Sequence, residues 1–94
     1  MNKYETIFIM KPDITQEQSN SVISKVENYI KENGTILKTE NKGIKKLAYN
    51  VKNYSQGYFY LIEFECESKA ICELERIYRI TDEIMKFMTI KKDK

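Results

Sequence analysis

The sequence predicts an α+β protein with the ferredoxin-like split βαβ (βαββαβ) fold, a four-stranded antiparallel sheet with two helices on one face. Three observations predict it: four segments are rich in β-branched and aromatic residues, two others carry an apolar stripe at helical spacing, and their order is strand, helix, strand, strand, helix, strand. With 94 residues, 41% of them hydrophobic and 32% charged, the chain fits one domain with a modest core. We therefore predict a single domain over residues 1–94.

The first two elements are a strand and a helix. Lys3–Met10 is rich in β-branched and aromatic residues and is followed by Pro12, which predicts a strand. In Thr15–Gly34, Thr15 and Gln18 fit a capping box, and an apolar stripe is formed by Val22, Ile23, Val26 and Ile30. Gly34 is expected to end the helix in the left-handed conformation that glycine favours.

The middle of the chain predicts two strands joined by a turn. Thr35–Val51 is long for one strand, and Gly43 within it suggests a bulge or a sharp bend. The segment "KNYSQG" (Lys52–Gly57) is expected to be a turn. Tyr58–Glu67 is the clearest strand signal in the chain.

The last two elements are a helix and a strand. Ser68 is expected to cap a helix whose apolar stripe consists of Ala70, Ile71, Leu74, Ile77 and Tyr78. Asp82 and Glu83 predict a short turn, and Ile84–Ile90 predicts the closing strand.

Alternation along the strands leaves apolar residues on the sheet face that no helix covers, which we call the free face. If Tyr4, Phe8, Tyr60 and Phe64 lie under the helices, the free face holds Ile7, Ile9, Phe59 and Leu61. On the last strand, Met85, Phe87 and Thr89 are expected to point inward, which adds Lys86, Met88 and Ile90 to the free face. An apolar patch of this kind favours a protein partner, although scattered exposed apolar residues are also normal.

Basic residues occur in clusters although the net charge is only +2. One cluster lies in the middle of the chain, one near its end and a pair on the second helix: Lys38, Lys42, Lys45, Lys46 and Lys52; Lys86, Lys91, Lys92 and Lys94; Arg76 and Arg79. Lysines among tyrosines suit a phosphate backbone, because ammonium groups neutralise charge without reading a base. The alternative for each cluster is a solvated surface.

The residues for catalysis or metal binding are missing. The chain has no histidine, no serine or cysteine nucleophile signature and no glycine-rich phosphate loop, so we expect no enzyme, no cofactor and no metal site. Cys66 and Cys72 are expected to be ordinary free thiols, buried or half-buried. No apolar run reaches the roughly 18 residues of a membrane span and the start does not resemble a signal peptide, so we expect a cytoplasmic protein without a membrane partner.

Three stretches carry a family resemblance: "MNKYETIFIMKPD" at the start, "GIKKLAYNVKNYSQGYFYLIEF" in the middle and "ELERIYRITDEIMKFMTIKK" near the end. Together they resemble the bacterial small-subunit ribosomal protein S6 family over nearly the whole chain. The middle stretch has the glycine, basic pair, Leu-Ala-Tyr element, basic turn and Gly-Tyr of that family. Asn50 stands where a proline is frequent, and several usual arginines are lysines, which lack the bidentate fork of arginine.

The resemblance implies a structural protein of the small ribosomal subunit that binds the central domain of small-subunit rRNA together with small-subunit ribosomal protein S18. The rRNA-binding residues that it and the charge clusters suggest are Lys3, Lys45, Lys46, Lys52, Arg76, Arg79, Lys86, Lys91 and Lys92. The candidate contacts to the partner protein are Ile7, Ile9, Tyr49, Phe59, Leu61, Met88 and Ile90. No small-molecule substrate is implied.

Two other kinds of domain share this strand order. An RNA-recognition-motif domain stacks bases on free-face aromatic residues, but its pattern needs a small residue where Phe59 stands, and Phe8 falls on the core face. A ferredoxin-like regulatory domain for a small ligand would need a polar pocket at a dimer seam, and the sequence offers none.

Overall fold

The computed structural model describes residues 1–92, and Asp93 and Lys94, which the single-domain prediction includes, lie outside the described residues. Its elements are β1 (Asn2–Met10), α1 (Gln16–Asn33), β2 (Gly34–Val51), β3 (Tyr54–Cys66), α2 (Lys69–Ile80) and β4 (Ile84–Lys92). The four strands form an antiparallel sheet in the order β2-β3-β1-β4. The predicted fold class is confirmed.

The core lies between the two helices and one face of the sheet. Its fully buried side chains come from alternate positions of β1 and β3 and from the stripes of both helices, and include Phe8, Met10, Val26, Ile30, Ile62, Phe64, Leu74 and Tyr78. This alternation confirms that Tyr4, Phe8, Tyr60 and Phe64 lie under the helices. The other face of the sheet is therefore the free face.

The helix ends differ in part from the prediction. The capping box is present, because the Gln18 backbone N–H donates to Thr15 Oγ1 at 3.1 Å and the Thr15 backbone N–H donates to Gln18 Oε1 at 2.9 Å. Ser68 precedes α2 but makes no side-chain capping hydrogen bond. Gly34 is not left-handed: its φ of −178° is extended, and it begins β2. A Cβ there would run into the Glu65 carbonyl oxygen, so glycine is needed for close approach of two strands.

The β2–β3 hairpin is longer and its turn tighter than predicted. Only Lys52 and Asn53 form the turn, with φ of 52° and 70°, and β3 begins at Tyr54 rather than Tyr58. Two residues with positive φ between paired strands make a type I′ turn, whose twist matches that of the hairpin. The bulge expected at Gly43 is present, with φ of +76° and a register shift.

A second irregularity lies next to the turn. Lys46 pairs with Gln56 and Val51 pairs with Tyr54, so residues 47–50 stand opposite Ser55 alone. We call this segment, Leu47–Asn50, the hairpin bulge. Extra residues on one strand increase its bend and twist. The bulge and Val51 thereby come to lie beside free-face residues of β1 and β4.

The inward residues of β4 differ from the prediction at one position. Phe87 and Thr89 point inward, opposite Phe8 and Thr6. Met85 does not: a register shift opposite Ile9 and Met10 places Ile84 in the core instead. Met85 is buried on the other side of the sheet, where its Cε would lie 3.3 Å from a Cβ on Gly57.

Candidate protein and RNA interface

The free face carries an apolar groove of about 270 Å³. The groove lies between the hairpin bulge on one side and β1 and β4 on the other. Its apolar lining includes Ile7, Ile9, Leu47, Val51, Phe59 and Met88. The strand residues follow from alternation, whereas the contribution of Leu47 and Val51 was missed because it depends on the bulge. The apolar Leu-Ala-Tyr run before a turn was the available signal.

Contacts on both sides hold the hairpin near this groove. Gly57 permits close packing of β3, because a Cβ there would run into the Ile9 side chain. Lys86 Nζ of β4 lies 5.4 Å from the centroid of the Tyr49 ring, within the range of a cation–π contact. The Tyr54 hydroxyl donates to Asp13 Oδ2 at 3.0 Å, and this hydrogen bond raises the pKa of Tyr54. The groove is therefore shaped by specific contacts.

The seven candidate partner contacts differ in exposure. Tyr49, Met88 and Ile90 are exposed by 68%, 59% and 48%, whereas Ile7, Ile9 and Phe59 are half-buried. The expectation that Leu61 is open to a partner is wrong, because it is only 5% exposed. Leu61 lies on a central strand with Ile7 and Glu40 as cross-strand neighbours, so adjacent strands cover it from both sides.

The candidate rRNA-binding residues do not form one surface. Lys45, Lys46 and Lys52 are exposed on the hairpin, and Lys46 and Lys86 line the groove. Within residues 1–92, no ion pair involves Lys45, Lys46 or Lys52. The hairpin end of the sheet is thus the basic end.

The opposite end of the free face is internally compensated. Lys92 Nζ lies 3.6 Å from Glu5 Oε1 and 3.7 Å from Glu63 Oε2. Lys3 borders a smaller cleft there with Glu63 and Lys92. Lys91 is exposed next to Lys92 on β4. Lys3, Glu5, Glu63 and Lys92 have free-face parity, so strand register could have suggested this ion network.

Arg76 and Arg79 are exposed on α2, on the opposite side of the sheet from the groove. Arg76 Nη2 lies 3.0 Å from Glu73 Oε2, and its hydrogen bonds to Glu73 lower the pKa of that carboxyl and raise the pKa of the guanidinium. Arg79 stands in the last turn of α2. The predicted set therefore divides among the hairpin, the far end of the sheet and α2.

The cysteines are both free thiols. Cys66 is buried, and burial raises its pKa; Cys72 is exposed, contrary to the expectation of a buried or half-buried side chain. Across residues 1–92, no cluster of cysteine and carboxylate side chains is arranged to hold a metal ion. In the same range, no helix is long and apolar enough to cross a membrane.

The sequence model of the family described as "Ribosomal protein S6" matches residues 3–91. The chain belongs to the ribosomal protein S6 family. The resemblance proposed from three sequence stretches is thereby confirmed.

Individual members of the family match over nearly the whole chain. Small ribosomal subunit protein bS6 of a Nitratiruptor species is 42% identical over 97% of this chain and 72% of its own length. The protein of the same name from Thermoanaerobacter pseudethanolicus is 38% identical over 99% of both chains. The crystal structure of 30S ribosomal protein S6 from Thermotoga maritima superposes with a TM-score of 0.92 at 33% identity, covering 97% of this chain and 87% of that one.

Proposed function

We propose that this protein is a structural, non-enzymatic component of the small ribosomal subunit in the bacterial cytoplasm. In this proposal it binds the central domain of small-subunit rRNA as a pair with small-subunit ribosomal protein S18. The observation that supports the pairing best is the free face, where exposed apolar side chains surround a groove in a chain that belongs to the S6 family.

The partner surface is proposed to centre on the groove and on β4. Tyr49 and Met88 expose more than half of their surface and Ile90 just under half, beside the half-buried Ile7, Ile9 and Phe59. Removing such apolar area from water yields about 25 cal/mol per Å², so a few of these side chains can dominate a permanent interface. Leu61 lies on the same face, but it is only 5% exposed and is therefore not a proposed contact.

The rRNA contacts are proposed to be concentrated on the hairpin. Lys45, Lys46 and Lys52 project there without a carboxylate partner among the described residues, so their charges are available to phosphates. Lys86, Lys91, Lys3 and Arg79 remain secondary candidates. Lys92 and Arg76 would first have to leave their carboxylates.

The described residues do not support either alternative. In an RNA-recognition motif, the first-strand aromatic stacks a base, whereas Phe8 is fully buried, with its ring centroid 5.6 Å from that of Tyr60 and 5.3 Å from that of Tyr78. The groove offers lysines but no carboxylate or amide side chain among its described lining, which does not favour a polar metabolite.

The test of this proposal is assembly with purified S18 and a central-domain rRNA fragment. Met88→Glu should weaken formation of the ternary complex at least tenfold, because it places a charge on the proposed interface. Ile80→Glu is the matched control, because Ile80 is 55% exposed but lies on α2. Equal affinity of both variants and the wild type would contradict the free-face interface, and no ternary complex with the wild type would contradict the function itself.

A further inference from the structure

We propose that the groove receives an extended segment of a protein partner in which a bulky apolar side chain stands next to a carboxylate. This inference deepens the proposed function and rests on it only in treating the free face as a protein-binding surface. It is carried by two features of the groove: an apolar lining and one positive charge, that of Lys86, at its opening.

The size and lining of the groove fit apolar side chains of a chain segment. Its volume of about 270 Å³ lies just below the range of drug-sized clefts, so it suits one or two large side chains rather than a whole helix. Ile7, Ile9 and Val51 supply aliphatic walls, Phe59 an aromatic one, and exposed Met88 an adaptable one.

The charge of Lys86 selects the neighbours of that apolar side chain. Lys86 lines the groove, and none of the described residues that line it is acidic. Lys46 also borders the groove, but it pairs with Gln56, whereas the adjacent Gly57 faces the groove, so the Lys46 side chain has the opposite parity. The Lys86 ammonium is held near the Tyr49 ring, which places it beside the opening. A carboxylate next to the bound side chain therefore meets complementary charge, whereas a lysine or arginine there meets repulsion.

The same lining disfavours an RNA base as the occupant. A buried base needs hydrogen-bond partners for its polar edges, and leaving them unpaired costs free energy. The walls are mostly aliphatic, and one side of the Tyr49 ring is already in contact with Lys86. Phosphate groups can be accommodated by the exposed lysines on the hairpin, outside the groove.

The far end of the free face has a different charge pattern, which confines the selection to the groove. There Lys92 is already paired with Glu5 and Glu63. The partner therefore needs only one short segment of this chemistry, whatever its net charge.

The experiment is an NMR titration of the full chain with methyl-labelled isoleucine and valine. The probes are the peptides acetyl-Glu-Phe-Leu-Asp-amide and acetyl-Lys-Phe-Leu-Lys-amide, and the oligonucleotide hexauridylate. The acidic peptide should shift the methyl signals of Ile7, Ile9 and Val51 and bind at least fivefold more tightly than the basic one. In the Lys86→Glu variant the preference should reverse. Unchanged methyl signals of Ile30 and Ile62 in the core verify that the variant is folded.

Equal binding of the two peptides, no shift with the acidic peptide, or equal shifts of the same methyl groups with hexauridylate would overturn the inference. These results are distinguishable from failure of the proposed function. If the peptides fail while Met88→Glu still disrupts the ternary complex, the groove chemistry is wrong and the interface stands. If the acidic peptide binds as expected while Met88→Glu assembles normally, the groove chemistry stands and the S18 interface is wrong.

Discussion

At the scale of single residues, a buried polar contact joins β1, α2 and β4. Thr6 Oγ1 lies 2.9 Å from the Tyr78 hydroxyl and 2.9 Å from Thr89 Oγ1, so each of these hydroxyls has a partner. The Tyr78 ring packs between those of Phe8 and Phe87, with centroids 5.3 and 5.0 Å away. A satisfied polar group in such an apolar place favours one arrangement of these three elements, because any shift would leave a hydroxyl unpaired.

The corresponding prediction is that Tyr78→Phe lowers the free energy of unfolding by about 1–2 kcal/mol at pH 7, since it removes one buried hydrogen bond. Burial raises the pKa of Tyr78, so between the unfolded pKa near 10 and the higher folded value the folded chain retains a proton that the unfolded chain loses. Wild-type stability should therefore decline as pH rises above about 10. The variant should lack this part of the decline. Urea unfolding from pH 7 to 11 measures both effects, and parallel pH profiles would contradict the assignment.

At the scale of elements, strand position in the sheet decides what each free-face residue does. Leu61 lies on central β3 and is 5% exposed, whereas Met88 lies on edge strand β4 and is 59% exposed. Both have the same parity and both are apolar. The first therefore contributes to stability of the isolated chain, and the second is available to a partner.

We predict that Leu61→Ala lowers the free energy of unfolding by about 2–4 kcal/mol, because it truncates a side chain that its neighbours on the free face bury. Met88→Ala should change that free energy by less than about 0.5 kcal/mol, since its side chain is already in water. Urea midpoints of the two variants provide the measurement. A small effect at Leu61 would show that its covering is absent in solution, and a large effect at Met88 would place that side chain in the core.

At the scale of the whole molecule, positive charge is distributed unevenly. Lys45, Lys46 and Lys52 near the hairpin turn have no carboxylate partner within residues 1–92, whereas Lys92 at the other end of the free face is held by Glu5 and Glu63. Because counterion release depends on charges that reach phosphate, location matters more here than the net charge of +2.

We predict that the Lys45→Gln, Lys46→Gln double variant, paired with S18, has a shallower slope of log affinity for central-domain rRNA against log salt. The slope should fall by about 0.7–0.9 for each phosphate that the variant no longer neutralises. Lys92→Gln is the control and should leave the slope unchanged. It should lower stability by no more than about 1 kcal/mol, as expected for a surface ion pair. Binding across several salt concentrations tests this, and the reverse result would move the RNA surface to β4.

The sequence alone determined the order of the elements, the side of the sheet that receives the helices, the α1 capping box and the family. These depend on periodicity and on residues near one another in the chain: alternation placed Phe8 and Tyr60 inward, and Thr15 lies three residues from Gln18. Such local signals do not depend on how the rest of the chain folds.

Only the tertiary structure decided that Leu61 is buried and that Ile84, rather than Met85, lies in the core. The same holds for the hairpin bulge and for the pairing of Lys92 with two glutamates. Each of these depends on the order of strands and on register shifts. A shift of one residue moves a side chain to the other face, and its position is set by packing between strands distant in sequence. Local sequence patterns do not specify those neighbours, so the groove could not be predicted without the arrangement of the strands.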